Sequence, residues 1–206
     1  MPTGVAIRDP RRQLFEAAER VLLRDGPAAL TSRSVTAEAG VAKGVLHRHF
    51  ADFDTFLTEL ALDRIAAIGA QAAALRAAAG TGTVTGNLAA AFPGLFTPAE
   101  LALVRLVIAR DELRARLRAA TGTTRLPLVT ECSALVHGYL SAEQGLGRVS
   151  AQADIGALAP ALTGAAHLLF SDTEGGRPDA AAVTSMTRAV LAGSLPAGTG
   201  AAETRP

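Results

Sequence analysis

The stretch LTSRSVTAEAGVAKGVLHRHF, residues 30–50, decides how the rest of the chain is read. It falls into two short helical segments separated by one glycine. Thr31 is a good N-cap, because its hydroxyl can accept from an orphan backbone N–H, and Val35 and Ala39 form the inner face of a first helix ending near Ala39. Gly40 is the turn. Val41, Leu46 and Phe50 are spaced to plug a second helix, residues 41–50, into the first and into Phe15 or Leu22 upstream. With those three inward, Lys43, Gly44, Val45, His47, Arg48 and His49 are left on or near the opposite surface. That is the layout of a helix-turn-helix that reads double-stranded DNA.

The exposed set has the chemistry a major groove needs. Arg48 can fork onto guanine or phosphate, and Lys43, the only lysine of the chain, can place a point charge on phosphate. His47 and His49, two of the four histidines, can donate to phosphate oxygens. Gly44 removes a side chain so that the backbone can approach the duplex, and Val45 can touch a thymine methyl. Charge is distributed to match: residues 1–50 carry eight Lys or Arg against five Asp or Glu, whereas residues 51–206 carry twelve against fourteen.

The remainder reads as helix almost throughout, rich in alanine and leucine, with 4% aromatic residues and no alternating apolar-polar stretch. From Pro10 to Arg24, Leu14, Ala18, Val21 and Leu22 share one face, and Asp25-Gly26-Pro27 ends the segment. Asp52 caps a long helix with Phe53, Phe56, Leu57, Leu60, Ile65 and Ile68 at apolar positions; the Gly- and Thr-rich residues 77–87 break it. Thr97-Pro98-Ala99-Glu100 starts another helix, predicted to continue through LALVRLVIARDEL, residues 101–113. Near the end, Ile155, Leu158, Ala159, Leu162, Ala165, Ala166 and Leu169 make one apolar stripe, and Val183, Met186, Val190 and Leu191 a second after Pro178. Residues 196–206 read as a disordered tail.

The order Leu-Thr-x-Arg (30–33), Ala-Gly-Val-x-Lys-Gly-x-Leu (39–46) and His-x-His-Phe (47–50) resembles the N-terminal domain of TetR/AcrR-type transcriptional regulators. The resemblance implies an all-α fold of about nine helices. A three-helix DNA-binding domain would occupy residues 1–51, and a helical effector-binding and dimerisation domain residues 52–195. It implies that Thr31, Arg33, Lys43, Gly44, Val45, His47, Arg48 and His49 contact a palindromic operator, with a homodimer formed by the last two helices. Three positions depart from the pattern: Thr36 stands where alanine is usual, His47 where tyrosine is usual, and Phe53 where a lysine often touches phosphate.

A repressor released by a small, mostly apolar effector follows as the expected function, because the available lining is Leu, Val, Ala and Phe, with Arg105, His137, Tyr139 and His167 as polar options. A helical small-molecule-binding or scaffolding protein whose hairpin never meets DNA is the alternative. Catalysis is not expected: Ser133 and His137 lie four apart with Glu131 nearby, but no nucleophile elbow, phosphate loop or dinucleotide fingerprint surrounds them. Cys132, His137 and His167 lack paired metal-ligand spacing, and no cofactor is implied. The lone cysteine, the absence of a long uncharged apolar run and an N-terminus without a secretory apolar core together predict a cytoplasmic protein without a membrane segment.

Overall fold

The computed structural model describes residues 9–123, 125–172 and 176–196; the expected tail beyond Pro196 lies outside them. Among the described residues the chain is all-α, with ten α-helices, one 3₁₀ turn and no strand. The helices are α1 (Pro10–Asp25), α2 (Ser32–Glu38), α3 (Gly44–His49), α4 (Phe53–Ala77) and α5 (Val84–Leu95). They continue with α6 (Pro98–Ala109), α7 (Asp111–Thr121), α8 (Pro127–Gly145), α9 (Ile155–Ser171) and α10 (Ala180–Val190). Packing divides them into two compact units, residues 1–64 with 98–127 and residues 65–97 with 128–206. Helix α4 begins in the first and ends in the second.

In the first unit, Asp9 caps α1 by accepting from Arg12 N at 3.0 Å, and Pro10 stands at the first helical position, where it has no N–H to leave unpaired. Leu14, Ala17, Ala18, Val21 and Leu22 face inward. Gly26 ends the helix at φ 78°, ψ 177°, a glycine-only conformation, and Pro27–Ala29 forms the 3₁₀ turn. Thr31 then caps α2 in a reciprocal box: its hydroxyl accepts from Ser34 N at 3.1 Å while Ser34 Oγ accepts from Thr31 N at 2.9 Å.

The turn after α2 is a Schellman motif. Val41 N donates to Thr36 O at 3.0 Å and Gly40 N to Ala37 O at 3.1 Å, with Gly40 at φ 67°. Helix α3 therefore starts at Gly44, three residues later than expected, because Val41 is committed to closing the preceding helix. Leu46 and Phe50 are buried as the spacing predicted. Phe50 meets Phe56 edge-on at 5.0 Å and Phe15 at 5.7 Å, and Asp52 caps α4 by accepting from Thr55 N at 2.6 Å.

The run expected to continue through residue 113 is two helices. It breaks at Arg110, which is extended at φ −126°, ψ 104°, and this break takes the count past the nine expected. Arg114 Nη1 donates to the Val107 carbonyl at 3.4 Å and to that of Ile108, satisfying the end of α6 and so stabilising the break.

In the second unit, Thr83 caps α5, Asp154 caps α9 and Asp179 caps α10. Helix α10 packs on α5 and α9. The α9 stripe faces inward at Ile155, Ala159, Leu162 and Ala166, leaving an outer face of Ala157, Pro160, Ala161, Gly164 and Leu168, the last 74% exposed. A polar knot fastens the α4–α5 connection to α8. Glu143, 0% exposed, accepts from Tyr139 Oη at 2.6 Å and Gly80 N at 3.3 Å, with Arg148 Nε at 3.4 Å. Asn87 Nδ2 donates to Tyr139 Oη at 3.0 Å and to the Ala78 and Thr81 carbonyls. Burial and the neighbouring Glu143 push the Tyr139 hydroxyl above the ordinary tyrosine range.

Removing one member strands the others in a dry site. Glu143→Leu is expected to lower the urea-derived unfolding free energy by about 3–5 kcal/mol, and Tyr139→Phe by about 1–3 kcal/mol. Equilibrium unfolding with an unchanged slope checks both; a loss under 1 kcal/mol for Glu143→Leu would show that the knot does not hold the connection.

Candidate nucleic-acid interface

The hairpin α2–α3 leaves most of its polar residues open to solvent. Thr31, Arg33, Lys43, Gly44, His47 and Arg48 are exposed, and Val45 and His49 are half-buried. A Cβ added at Gly44 would meet nothing within 4 Å, so the fold does not require glycine there and the space above it is open. The backbone carbonyl of His49 accepts from Arg11 Nη1 at 3.1 Å, and the Arg11 guanidinium lies 4.4 Å from the centre of the Phe50 ring.

The distribution of ion pairs separates this surface from its surroundings. Arg12 pairs with Glu16 at 2.9 Å, Arg20 with Glu38 at 2.7 Å, and Arg24 with Glu38 at 2.8 Å and Asp25 at 2.9 Å. Arg11 pairs with Glu59 and Arg64 with Glu19. Among the described residues 9–64, only Arg33, Lys43 and Arg48 have no carboxylate partner. Glu38 is the sole acid in residues 30–50, and hydrogen bonds from Arg20 and Arg24 hold its carboxyl below the usual range. Arginines of α1 thus pair with the hairpin's one negative charge.

The three departures from the family pattern have distinct structural consequences. Thr36 is buried and its hydroxyl donates back to the Ser32 carbonyl at 2.9 Å, so the extra oxygen is satisfied. His47 stands in solvent. Phe53 stacks on Phe56 at 5.6 Å and lies 5.8 Å beneath the guanidinium of Arg110, leaving an aromatic ring, not a cation, in the first turn of α4. Arg11, Arg110 and Arg116 were not legible as parts of this region, since no local spacing ties them to residues 30–55.

The expected effector residues are not gathered. Arg105 is exposed on α6, in the first unit; His137 is exposed on α8 with Nδ1 3.4 Å from Ser141 Oγ. Tyr139 is fully buried in the polar knot, and His167 is half-buried edge-on to Phe96 at 6.2 Å. A groove of about 800 Å³ in the second unit is bordered by Thr83, Thr85, Arg148, Thr184 and Arg188, and by none of these four. No group of three or more His, Cys, Asp or Glu among the described residues could hold a metal ion, and no single described helix is long and apolar enough to cross a membrane.

Residues 14–60 match the family of bacterial regulatory proteins, tetR family. Solved structures share the fold over nearly the whole chain. Reduced NemR of E. coli is 15% identical, with 92% of this chain and 100% of that one covered and a TM-score of 0.71. A transcriptional regulator of Rhodococcus sp. Rha1 is 18% identical over 89% and 97%, with a TM-score of 0.68. The regulator FadR of Bacillus subtilis, in complex with stearoyl-CoA, is 16% identical over 88% and 95%, with a TM-score of 0.63. No curated protein matches the chain in sequence. The fold class is all-α with an N-terminal helix-turn-helix. Residues 14–60 thus carry the tetR-family sequence pattern, and the chain as a whole shares the fold of these solved structures.

Two glycines of the hairpin are expected to respond oppositely to alanine. Gly40→Ala, at φ 67°, should cost about 1–2 kcal/mol, whereas Gly44→Ala should leave stability unchanged or raise it by up to about 1 kcal/mol. Urea unfolding of both variants checks the difference.

Proposed function

We propose that this protein is a homodimeric, effector-responsive transcriptional repressor that grips a palindromic operator through α2 and α3. The observation that carries the reading is the charge arrangement: the arginines of α1 and Arg64 of α4 are matched by carboxylates, while Arg33, Lys43 and Arg48, all within the hairpin segment, are exposed and free of them. Lys43, His47 and His49, with Thr31 and Arg33, hold phosphates; Gly44, Val45 and Arg48 read base edges. Residues 1–51 act as the reader, in the cytoplasm where the DNA is, and residues 52–195 as the effector-binding and dimerisation region.

The dimer forms through α9 and α10. The outer face of α9, Ala157, Pro160, Ala161, Gly164 and Leu168, supports this, since α9 carries no charged residue and its small side chains permit close helix approach. A two-fold pair would address half-sites about 34–36 Å apart or a multiple of that. The effector is a small, mostly apolar molecule, a reading supported by the apolar interior of the second unit and by the stearoyl-CoA held by FadR. Its differential affinity for two states of the dimer would lower operator affinity by the same factor.

Selection from a random DNA pool should return a palindromic consensus, and a wild-type protein that prefers no sequence over random duplex would leave the helical scaffold as the better reading. Lys43→Ala should weaken binding to all sequences and flatten the dependence of log affinity on log salt by about 0.9. Arg48→Ala should lose about 1–3 kcal/mol of discrimination at one operator position. Leu168→Glu should shift the light-scattering mass from dimer to monomer without loss of helical signal; a dimer that persists would place the interface elsewhere.

A further inference from the structure

The break between α6 and α7 forms a corner stiffened from within: Arg114 closes the carbonyl end of α6 and pairs with Asp111 in the first turn of α7. Two other guanidinium groups reach out of it toward the reading hairpin. Arg110, half-buried, donates from Nη2 to the Leu30 carbonyl at 3.0 Å and covers the Phe53 ring at 5.8 Å. Arg116 donates from Nη1 to Thr55 Oγ1 at 3.2 Å and lies 3.5 Å from Asp52 Oδ1, while its Nε holds Glu112 at 3.0 Å. Leu30 is the residue before the Thr31 cap, and Asp52, Phe53 and Thr55 belong to the cap and first turn of α4. The corner therefore touches the chain just before the hairpin begins and just after it ends.

We propose that Arg110 and Arg116 are positioning residues for operator binding. They brace both ends of α2–α3, so that the reading surface is held in one register against α4 and α6. Charge argues for a brace over a phosphate contact. Asp52, Asp54 and Glu112 face Arg116 and offset its charge, while the Arg110 guanidinium, which has no carboxylate partner among the described residues, is engaged by the Leu30 carbonyl and the Phe53 ring instead of being left for phosphate. An internal brace thus occupies the place where an aromatic Phe53 precludes a cationic grip on the duplex. Helix α3 has six residues, too few to hold its own position, so its placement depends on such flanking contacts.

The inference rests on the proposed DNA reading, and one titration separates the two. Full-length wild type, Arg110→Gln, Arg116→Gln and Arg118→Gln are bound to the consensus duplex that the wild-type protein selects from a random pool, at several salt concentrations, with a thermal melt of each. Arg110→Gln and Arg116→Gln are each expected to bind about tenfold more weakly, with the wild-type salt slope. Arg118→Gln, exposed on α7 away from both hairpin ends, should bind as wild type, and Arg110→Lys, which keeps a donor for the Leu30 carbonyl, should recover most of the loss. Unchanged affinity in both glutamine variants overturns the brace. So does a slope shallower by about 0.9, which would make the arginine a phosphate ligand. If Arg110→Gln does not fold, Arg116→Gln decides by the same two measurements. A wild-type protein that selects no consensus overturns the DNA reading and the brace together, whereas failure of the variants alone leaves the reading standing.

Discussion

The contact that the head depends on is the packing of Phe50 against Phe15 and Phe56. A helix of six residues is far below the length at which backbone hydrogen bonding sustains itself, so α3 takes its shape from what its ends touch. Phe50 follows its last residue and sits between α1 and α4, edge-on to Phe56 and 5.7 Å from Phe15, with the Arg11 guanidinium over its ring. Four of the seven phenylalanines, Phe15, Phe50, Phe53 and Phe56, are spent on this one junction. Leu46, one turn earlier, completes the anchoring of the buried face. Fixing the apolar side of so short a helix also fixes the direction in which Lys43, His47 and Arg48 project.

That rigidity has an electrostatic counterpart. Arg20 and Arg24 of α1 converge on Glu38, so the same packing of α1 on α2 that buries Val21 and Val35 also pairs the hairpin's one acid. Individually these surface pairs contribute little to stability. Their effect is on the field: with the hairpin's one carboxylate paired and Arg33, Lys43 and Arg48 exposed without a carboxylate partner, the potential around α3 is left positive. The positive excess of residues 1–50, small as a net figure, is thereby concentrated where a duplex could use it.

Local chemistry made the hairpin legible. The Thr31 cap, the Gly40 turn and the inward Leu46 and Phe50 each follow from a residue type at a position, and the structure has all of them. What local reading missed involves partners far apart in the chain. Nothing in residues 101–113 marks Arg110 as a break, because the apolar spacing continues across it; the break is stabilised by Arg114 folding back and by Leu30, eighty residues away in sequence. The start of α3 is hidden for a related reason: Val41 has the spacing of a helix residue, but its N–H is engaged by the Thr36 carbonyl. On α9 the buried face is the one the periodicity marked, with Ile155, Ala159, Leu162 and Ala166 inside, but periodicity does not show that a second apolar face, with Ala157, Ala161 and the 74% exposed Leu168, stays outside.

The same limit governs the polar residues considered for the effector. Tyr139 was attractive because polar groups are scarce in an apolar body, but scarcity has the opposite implication once the group is buried: its hydroxyl must find a partner inside the fold, and here it donates to Glu143 and accepts from Asn87. Glu143 in turn is engaged by Gly80 N and lies beside Arg148, and Arg148 also donates to the Thr81 and Gly82 carbonyls. A ligand seeking a hydrogen bond from this knot would have to displace a bond already made in a water-poor site, and the exchange would yield little net free energy. The knot's polar groups are therefore structural, and recognition of the proposed effector would have to use other groups, such as Thr83, Thr184 and Arg188 beside Val84 and Leu195 at the groove.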